Sequence, residues 1–555
     1  MTRGWWWLVG AVLGGVVAGC GSERAVEHPA YAAGQVVRSG EGVVVSGSPL
    51  ATAVGVDILE RGGNAVDAAV ATAFALGVVE PTMSGIGGRT QILIRTASGK
   101  FVGIDGTTEV PATAPRIPIA DEDAYGYATI GIPGTVAALA HAHQVYGALS
   151  WAQVLAPAVA LADTGFPLPS EEAERIAALA GRLGEFEGSA RHFLRQDGTP
   201  YAADERFAQP AIAHVLRAIG SNGPDVFYRG WIADSIAADM ARNGGSVTRE
   251  DLERYAAQPS SVVRGSYRGF ELVGTYLPAS GATTIEALHI LEQFNFDDRA
   301  GGAEWLALVA QALLLSFTDR TADLGTPDEH ARTLVSKEWA AQRAAAVTDP
   351  GAVPEPVVAG LALGTTTAWR ESDHTTHLSV ADGRGGFVAL TQSLGPTLGS
   401  KVASANLGFL YAATMGYLGA LAPGKRPFSS QSPLMILDEG TPVFVLGAAG
   451  GRRIISAIVA VVSRLIDERL PLADAMAAPR LHPTADTIYV EARDEAAWTE
   501  TDVADLRSFG FAVAPRSSPP YFARLHAIAF DPARTTYTGV ADARWNGGAG
   551  APHRR

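Results

Sequence analysis

The chain has 555 residues, of which 47% are hydrophobic and 18% charged, and its formal net charge is −14. That composition supplies enough apolar side chains for a sizeable core, and length alone suggests about three or four domains of ~150 residues. The acidic balance argues against nucleic acid as a partner, because phosphate binding needs a basic face. No long run of like charge marks a disordered tail.

The N-terminus carries the first specific signal. Arg3 precedes WWWLVGAVLGGVVAG, an apolar run that ends at Cys20. A membrane span needs roughly 20 apolar residues, so the run is too short for one. Its positive start, apolar centre and small-residue end fit a secretory signal. Val17-Ala18-Gly19-Cys20 also resembles a bacterial lipobox, and Cys20 is the only cysteine in the chain. A lone cysteine in an exported protein forms no internal disulfide and asks for another role. The expectation is a signal peptide over 1–19 and a diacylglycerol anchor on Cys20. That would hold an exported lipoprotein at a membrane, on its periplasmic or cell-surface side. The alternative is a soluble secreted protein with a chance cysteine.

Residues 51–81, ATAVGVDILERGGNAVDAAVATAFALGVVEP, read as two apolar-faced helices broken at Gly62-Gly63-Asn64, where positive φ is cheap. SGIGGRTQILIR (84–95) reads as a glycine-rich turn feeding an alternating strand. From about 133 to 345 the periodicity is mostly helical, as in AALAHAHQVYGAL and EWLALVAQALLLSFTDRTADLG. Beyond 375 the pattern changes. THLSVAD, GFVALTQS, PLMILDE and TPVFVLGAAG are short β-rich runs, with hairpin turns at DGRGG and DEGTP. The helix ISAIVAVVSRLIDER follows, and 487–546 alternates strand-like and helical pieces. There is no internal repeat and no low-complexity linker. A helical first two-thirds and a strand-rich last third indicate an α+β fold rather than βαβ units.

Several common motifs fall away. GALAPGKR (419–426) matches GxxxxGK, but Arg426 stands where a P-loop needs Ser or Thr. There is no HExxH and no GxSxG, and one cysteine makes no zinc cluster. His374 and His377 are spaced i, i+3, yet they flank an extended segment and do not face one way. They read as surface or second-sphere histidines, with no metal expected.

The threonines between them remain. A threonine hydroxyl needs a base, and one solution is its own α-amine once the residue heads the chain. That amine has a reference pKa of about 7.7–8.0, so part of it is neutral near pH 7. A cut between His374 and Thr375 in SDHTTHLSVAD would put Thr375 at the head of a strand. On pattern alone, a plain strand start is the better explanation of the segment.

TTHLSVADGRGGFVALTQSL resembles the maturation-site segment of the γ-glutamyltranspeptidase family, whose members are N-terminal nucleophile hydrolases. GGNAVDAAVATAFALGVVEP, GIPGTVAAL, DVFYRGWIADSIAADMARNGGSVTREDLERY, LPASGATTIEALHILE, PGKRPFSSQSPLMIL and GAAGGRRIIS resemble further family motifs in the family's order. The resemblance implies a four-layer αββα sandwich formed as one domain by a heavy chain, 20–374, and a light chain, 375–555, after self-cleavage. It implies Thr375 as nucleophile for both cleavage and catalysis, with Ser393 at the place of a hydroxyl that bonds it. Gly450 and Gly451 match a diglycine whose amides form the oxyanion hole. Ser429 and Ser430 match paired serines that contact the substrate's α-carboxylate. No cofactor is implied, and the partner is a small amide or peptide substrate.

Some specificity positions depart from the family. In IDGTTEVP, Thr107 stands at the place of the arginine that grips the glutamyl α-carboxylate. Gly395 replaces an asparagine. FLYAATMGYL puts Ala412, Ala413, Thr414 and Tyr417 where polar or acidic groups bind the α-amine. Charge-assisted contacts of this kind are worth roughly 1.5–3 kcal/mol each, so recognition of a zwitterion is expected to weaken. Arg89, interrupting the glycine run after GIGG, is a candidate relocated cation for a carboxylate-bearing acyl group without an α-amine. The alternative is a surface arginine in a loop. The sequence thus predicts an exported amidohydrolase or acyltransferase acting through an acyl-enzyme on γ-glutamyl compounds, or on a glutaryl-type acyl group as in cephalosporin acylases. The rival from another class is a non-catalytic lipoprotein that keeps the fold for binding.

Overall fold

The computed structural model describes residues 24–25, 30–114, 125–296, 301–347, 374–415, 422–518 and 521–553. Cys20, the 1–19 signal and Tyr417 lie outside the described residues. Among the described residues no helix is long and apolar enough to cross a membrane.

The elements that position the site are, in chain order, β1 (Val36–Ser39), β2 (Val43–Ser46), α1 (Pro49–Glu60), α2 (Ala65–Val79), β3 (Arg89–Arg95) and β4 (Phe101–Gly106). Next come α3 (Ser170–Ala178), β5 (Gln258–Tyr267), β6 (Phe270–Tyr276), α4 (Gly281–Leu291) and α5 (Ala303–Asp319). After them stand β7 (Thr376–Ala381), β8 (Phe387–Ser393), β9 (Leu434–Asp438), β10 (Thr441–Ala449) and α6 (Arg453–Ile466). β11 (Arg524–Asp531), β12 (Thr536–Ala541) and β13 (Gly548–Gly550) close the set. With the short strand Arg24–Ala25 they make one fourteen-stranded path, in the order Arg24–Ala25, β1, β12, β11, β10, β9, β6, β5, β4, β3, β8, β7, β2, β13. The fold is α+β.

The path turns a corner at β5. Its first residues pair with β4, Ser260 opposite Gly103, while Ser261 to Tyr267 pair with β6. Gly103 is required there, because a Cβ would sit 2.3 Å from the Ser260 carbonyl oxygen. Strands that change sheets in this way make the corners of packed sheets.

Period-two alternation then sorts side chains between three apolar cores. Leu378 and Val380 of β7 and Val388 and Leu390 of β8 join α1 and α2 in the first. Leu434 and Ile436 of β9 join α4, α5 and α6 in the second. Their alternates Phe387, Ala389 and Met435 meet Val43, Leu93, Val445 and Ile528 in the third, built from both halves of the path. α2 is buried on every side, which suits a helix that is apolar all round, and Asn64 caps it in a reciprocal box with Asp67.

The sequence reading misses the strands between 133 and 345, of which one pair is long. The stretch taken as helical from 133 to 345 contains the β5–β6 hairpin. Its signal was present: SSVVRGSYRGFELVGTY alternates around an Arg268-Gly269 turn in which both residues take positive φ. The long helices on either side hide it from a window-averaged periodicity.

Below β11 lies a buried ionic cluster. Asp542 accepts from Arg480 Nη2 at 2.6 Å, from Arg544 Nη1 at 3.3 Å and from the Leu525 amide at 2.8 Å. Burial opposes its ionisation, but the two guanidinium groups hold its carboxyl well below the ordinary carboxylate range. Because that pKa is depressed on folding, the cluster's stabilisation is present above about pH 4 and is lost as pH falls towards the folded value. Asp542→Asn leaves two buried arginines without their shared anion. A loss of about 3–5 kcal/mol in denaturant unfolding at neutral pH is expected.

Candidate active site

Thr375 stands immediately before β7, and Ser393 ends its hairpin partner β8; Thr376 pairs with Gln392 in the ladder, which sets the two hydroxyls side by side. The Thr375 hydroxyl is placed to donate to Ser393 Oγ at 3.1 Å and, more closely, to the His374 carbonyl oxygen. Ser393 Oγ donates to the same carbonyl at 2.9 Å and accepts from the Gly395 amide at 3.0 Å. A serine hydroxyl has one proton and two lone pairs. With Thr375 and the Gly395 amide filling the lone pairs, the Ser393 proton goes to the His374 carbonyl. The result is a relay, Thr375 O–H to Ser393 O–H to the carbonyl, which polarises that carbonyl beside a hydroxyl able to attack it. Gly395 supplies its amide through φ +92, in the left-handed region that glycine adopts without strain.

The second threonine has a different task. Thr376 Oγ1 donates to Glu80 Oε2 at 2.7 Å, just beyond α2. The nucleophile candidate's own carbonyl accepts from Arg524 Nη2 at 2.9 Å. His374 lies with its ring against Thr397 Oγ1, which is 3.0 Å from Nδ1. Burial, then the charges of Arg175, Lys401, Arg524 and Arg453, hold His374 well below the ordinary histidine pKa. Of the two positions expected for His377, surface or second-sphere, burial rules out the surface. His377 is fully buried between the two halves, on Thr391 Oγ1 at 2.8 Å and Ser379 Oγ at 3.1 Å. Gly447 makes room for it, since a Cβ there would lie 2.2 Å from its ring.

Gly450 and Gly451 link β10 to α6 with φ +133 and +61. Ala449 pairs with Arg524, the residue that holds the Thr375 carbonyl, so the diglycine emerges beside the same strand end. A Cβ on Gly450 would stand 2.9 Å from Ala523 Cα. Among the described residues neither glycine amide donates in a turn, loop or cap. Glycine backbone at a helix start can present N–H groups to developing negative charge.

The paired serines are not equivalent. Gln431 Nε2 donates to the Thr391 carbonyl at 2.8 Å, which orients the amide so that its Oε1 takes the Ser429 hydroxyl proton at 3.0 Å. Ser429 also accepts from the Gln431 amide at 3.2 Å, so its hydroxyl is engaged within the loop. Ser430 Oγ instead accepts from Arg320 Nη1 at 3.2 Å. A guanidinium only donates, so this bond leaves the Ser430 proton for another acceptor.

Thr107 is buried and engaged: Gln91 Nε2 donates to its hydroxyl at 2.9 Å, and its amide donates to Asp105 Oδ1 at 2.7 Å. Arg426, seen in the sequence only as a failed P-loop position, reaches the same turn. It lies 2.7 Å from Asp105 Oδ2 and 3.4 Å from Glu109 Oε2, so two acids neutralise it. Ala412, Ala413 and Thr414 are buried and spend their amides on Gly87, Leu394 and Thr129. Arg89 is no surface loop residue. It begins β3 opposite Ser393 and is 5% exposed.

Sequence reasoning missed Glu80, Arg320, Gln431 and Arg524. Only Arg524 had a local signal, a lone arginine heading the alternating run RLHAIAF. If the chain is cut at His374–Thr375, Ser393→Ala removes the carbonyl's donor other than the attacking Thr375 hydroxyl itself. Cleavage followed on a denaturing gel is then expected to slow about 10²–10³-fold, the usual cost of one lost donor to a developing oxyanion, while Ser393→Thr retains it.

The family model described as Gamma-glutamyltranspeptidase matches residues 51–551. The glutathione hydrolase proenzyme of Escherichia coli (strain K12) is 34% identical over 492 residues, 83% of this chain and 83% of its own length. The acylase ACY 1 proenzyme of Pseudomonas sp. (strain SE83) is 34% identical over 532 residues, 91% of this chain and 92% of its own. Among solved structures, the cephalosporin acylase from Bacillus halodurans aligns with a TM-score of 0.83 at 27% identity, covering 95% of this chain and 99% of that one. The chain belongs to the gamma-glutamyltranspeptidase family, whose members are self-processing amidohydrolases of the N-terminal nucleophile superfamily.

Proposed function

We propose that the chain cuts itself between His374 and Thr375, and that the new N-terminal Thr375 is the nucleophile of an amide-cleaving acyl transfer. The observation that carries this is the relay of Thr375 and Ser393 onto the His374 carbonyl. The cut yields a heavy chain, 20–374, and a light chain, 375–555. In catalysis Thr375 Oγ attacks an amide carbon, its proton passes to the Thr375 α-amine, and the oxyanion rests on the Gly450 and Gly451 amides. The amine product leaves with that proton, and water or a second amine takes the acyl group from the ester. The superfamily's four-layer αββα sandwich belongs to the same reading. Three apolar cores, two beneath helices and one between strand halves, support it. Export with a lipid on Cys20 is also part of this proposal and rests on the N-terminal pattern alone.

A specific observation favours an acyl group without an α-amine. Ala412, Ala413 and Gly395 offer no anionic side chain for an ammonium, and Thr107 is held internally. A carboxylate at the far end of the acyl chain keeps two candidate partners, the proton of Ser430 and the guanidinium of Arg89. A glutaryl-type substrate fits that set better than a γ-glutamyl one. The two relatives named as acylases make the same class available within the family.

Purified wild-type protein is expected to run as two fragments on a denaturing gel, and Thr375→Ala as one. On acyl-p-nitroanilides the matured protein is expected to prefer glutaryl over γ-glutamyl, succinyl and simple alkyl groups. A strong preference for γ-glutamyl overturns the argument from the missing ammonium partner. For glutaryl-p-nitroanilide, Ser430→Ala is expected to raise KM about tenfold, and Ser429→Ala to leave KM within about twofold, in line with one lost charge-assisted hydrogen bond.

A further inference from the structure

Arg524 begins β11 and is 3% exposed. Its Nη2 is fixed on the Thr375 carbonyl at 2.9 Å, and its guanidinium lies 4.0 Å from the centroid of the Trp545 ring. Its Nη1 is buried with no hydrogen-bond partner among the described residues. No acid among the described residues forms a salt bridge with it. The guanidinium therefore keeps its charge beside the first residue of the light chain. The Thr375 nitrogen is two covalent bonds from the carbonyl carbon, which keeps it within about 6.5 Å of the nearest guanidinium nitrogen.

We propose that Arg524 is a positioning residue that keeps the Thr375 α-amine in its neutral, proton-accepting form. The inference rests on the reading of Thr375 as an N-terminal nucleophile and adds the group that poises its base. A like charge at this range disfavours the ammonium, and burial acts in the same direction. A base titrating near or below the working pH is the useful one, because it must be free before it can take the Oγ proton.

The other charges around Thr375 leave the balance positive. Glu80 lies on the Thr376 hydroxyl at 2.7 Å and opposes Arg524. Glu172 of α3 is also near, but burial, against Arg175 at 2.5 Å, pushes its carboxyl up to about 6. Asp542 is committed to Arg480 and Arg544. Against these stand Arg524, Arg175, Lys401, whose Nζ is on the Gly399 carbonyl at 3.0 Å, and Arg453, whose Nε is on the Gly450 carbonyl at 3.3 Å. His526, on the same strand, is neutral at working pH, since burial pushes it down to about 3. Cleavage adds a carboxylate at His374; with Asp542 set against Arg480 and Arg544, four cations still face three acids, Glu80, Glu172 and that carboxylate. Burial first, and then the charges of Arg175, Lys401, Arg524 and Arg453, lower the His374 ring one residue away.

The test compares pH profiles of kcat/KM for matured wild type, Arg524→Gln and Arg524→Lys on one acyl-p-nitroanilide. Gln keeps a donor for the Thr375 carbonyl and removes the charge, so the acid limb is expected to move up by about one pH unit. Lys is expected to leave it within about 0.3 unit. A limb that stays in place in a cut, folded Arg524→Gln protein overturns the proposal. Glu80→Gln gives an independent arm that keeps the Thr376 bond, and its limb is expected to move down; no movement or an upward one counts against the proposal. Acetylation of the light chain's first amine, followed by mass spectrometry across pH, reads the same pKa without activity. Failure of the underlying reading looks different: Thr375→Ala would still be cut, or wild type would show no free amine on Thr375.

Discussion

A hydroxyl can bond in only three directions, and the site of this chain depends on that limit. Ser393 receives Thr375 and the Gly395 amide and gives its proton to the His374 carbonyl. Every bond in that relay is set by the β7–β8 ladder, which brings the two strand ends level, and by the positive φ of Gly395. The ladder is in turn fixed by alternation into two cores, since a one-residue slip would turn Leu378 and Val380 away from α2. Packing of the first core thus sets the geometry of the hydroxyls.

Electrostatics adds a second layer. The chain is acidic overall, yet the strand ends around Thr375 collect arginines and a lysine from α3, the Gly395–Lys401 turn, α6 and β11. Net charge describes the solvent-facing surface, whereas a buried site feels only the few charges within screening range. The cations are held by carbonyls and rings as much as by acids: Arg524 by Thr375 and Trp545, Arg453 by Gly450 and Tyr521. Such partners orient a guanidinium without neutralising it, which lets its field reach the reacting groups.

Recognition is where the chain departs from its family pattern, and the structure gives the departures physical content. Thr107 does not point an empty hydroxyl into a pocket but closes a turn with Gln91, Asp105 and Tyr255. Arg426 comes to that turn and is neutralised there by Asp105 and Glu109. Ser429 and Ser430, adjacent in sequence and identical in type, differ because Gln431 captures one proton and Arg320 frees the other.

The sequence by itself determined the α+β class, the β7–β8 and β9–β10 hairpins and the α2 helix, and its resemblance to the family marked Thr375, Ser393 and the diglycine as the candidate machinery. The hairpins and the helix are local: alternation and turn glycines act over a few positions. The β5–β6 hairpin was legible in principle but lay between long helical signals. Only the tertiary structure decided that His377 is buried between the strand halves, that Arg89 faces Ser393 across a ladder, and that Arg524 and Glu80 flank the two threonines. These contacts join residues tens to hundreds of positions apart. Burial and charge at one point depend on which distant strands meet there, and no local pattern encodes that meeting.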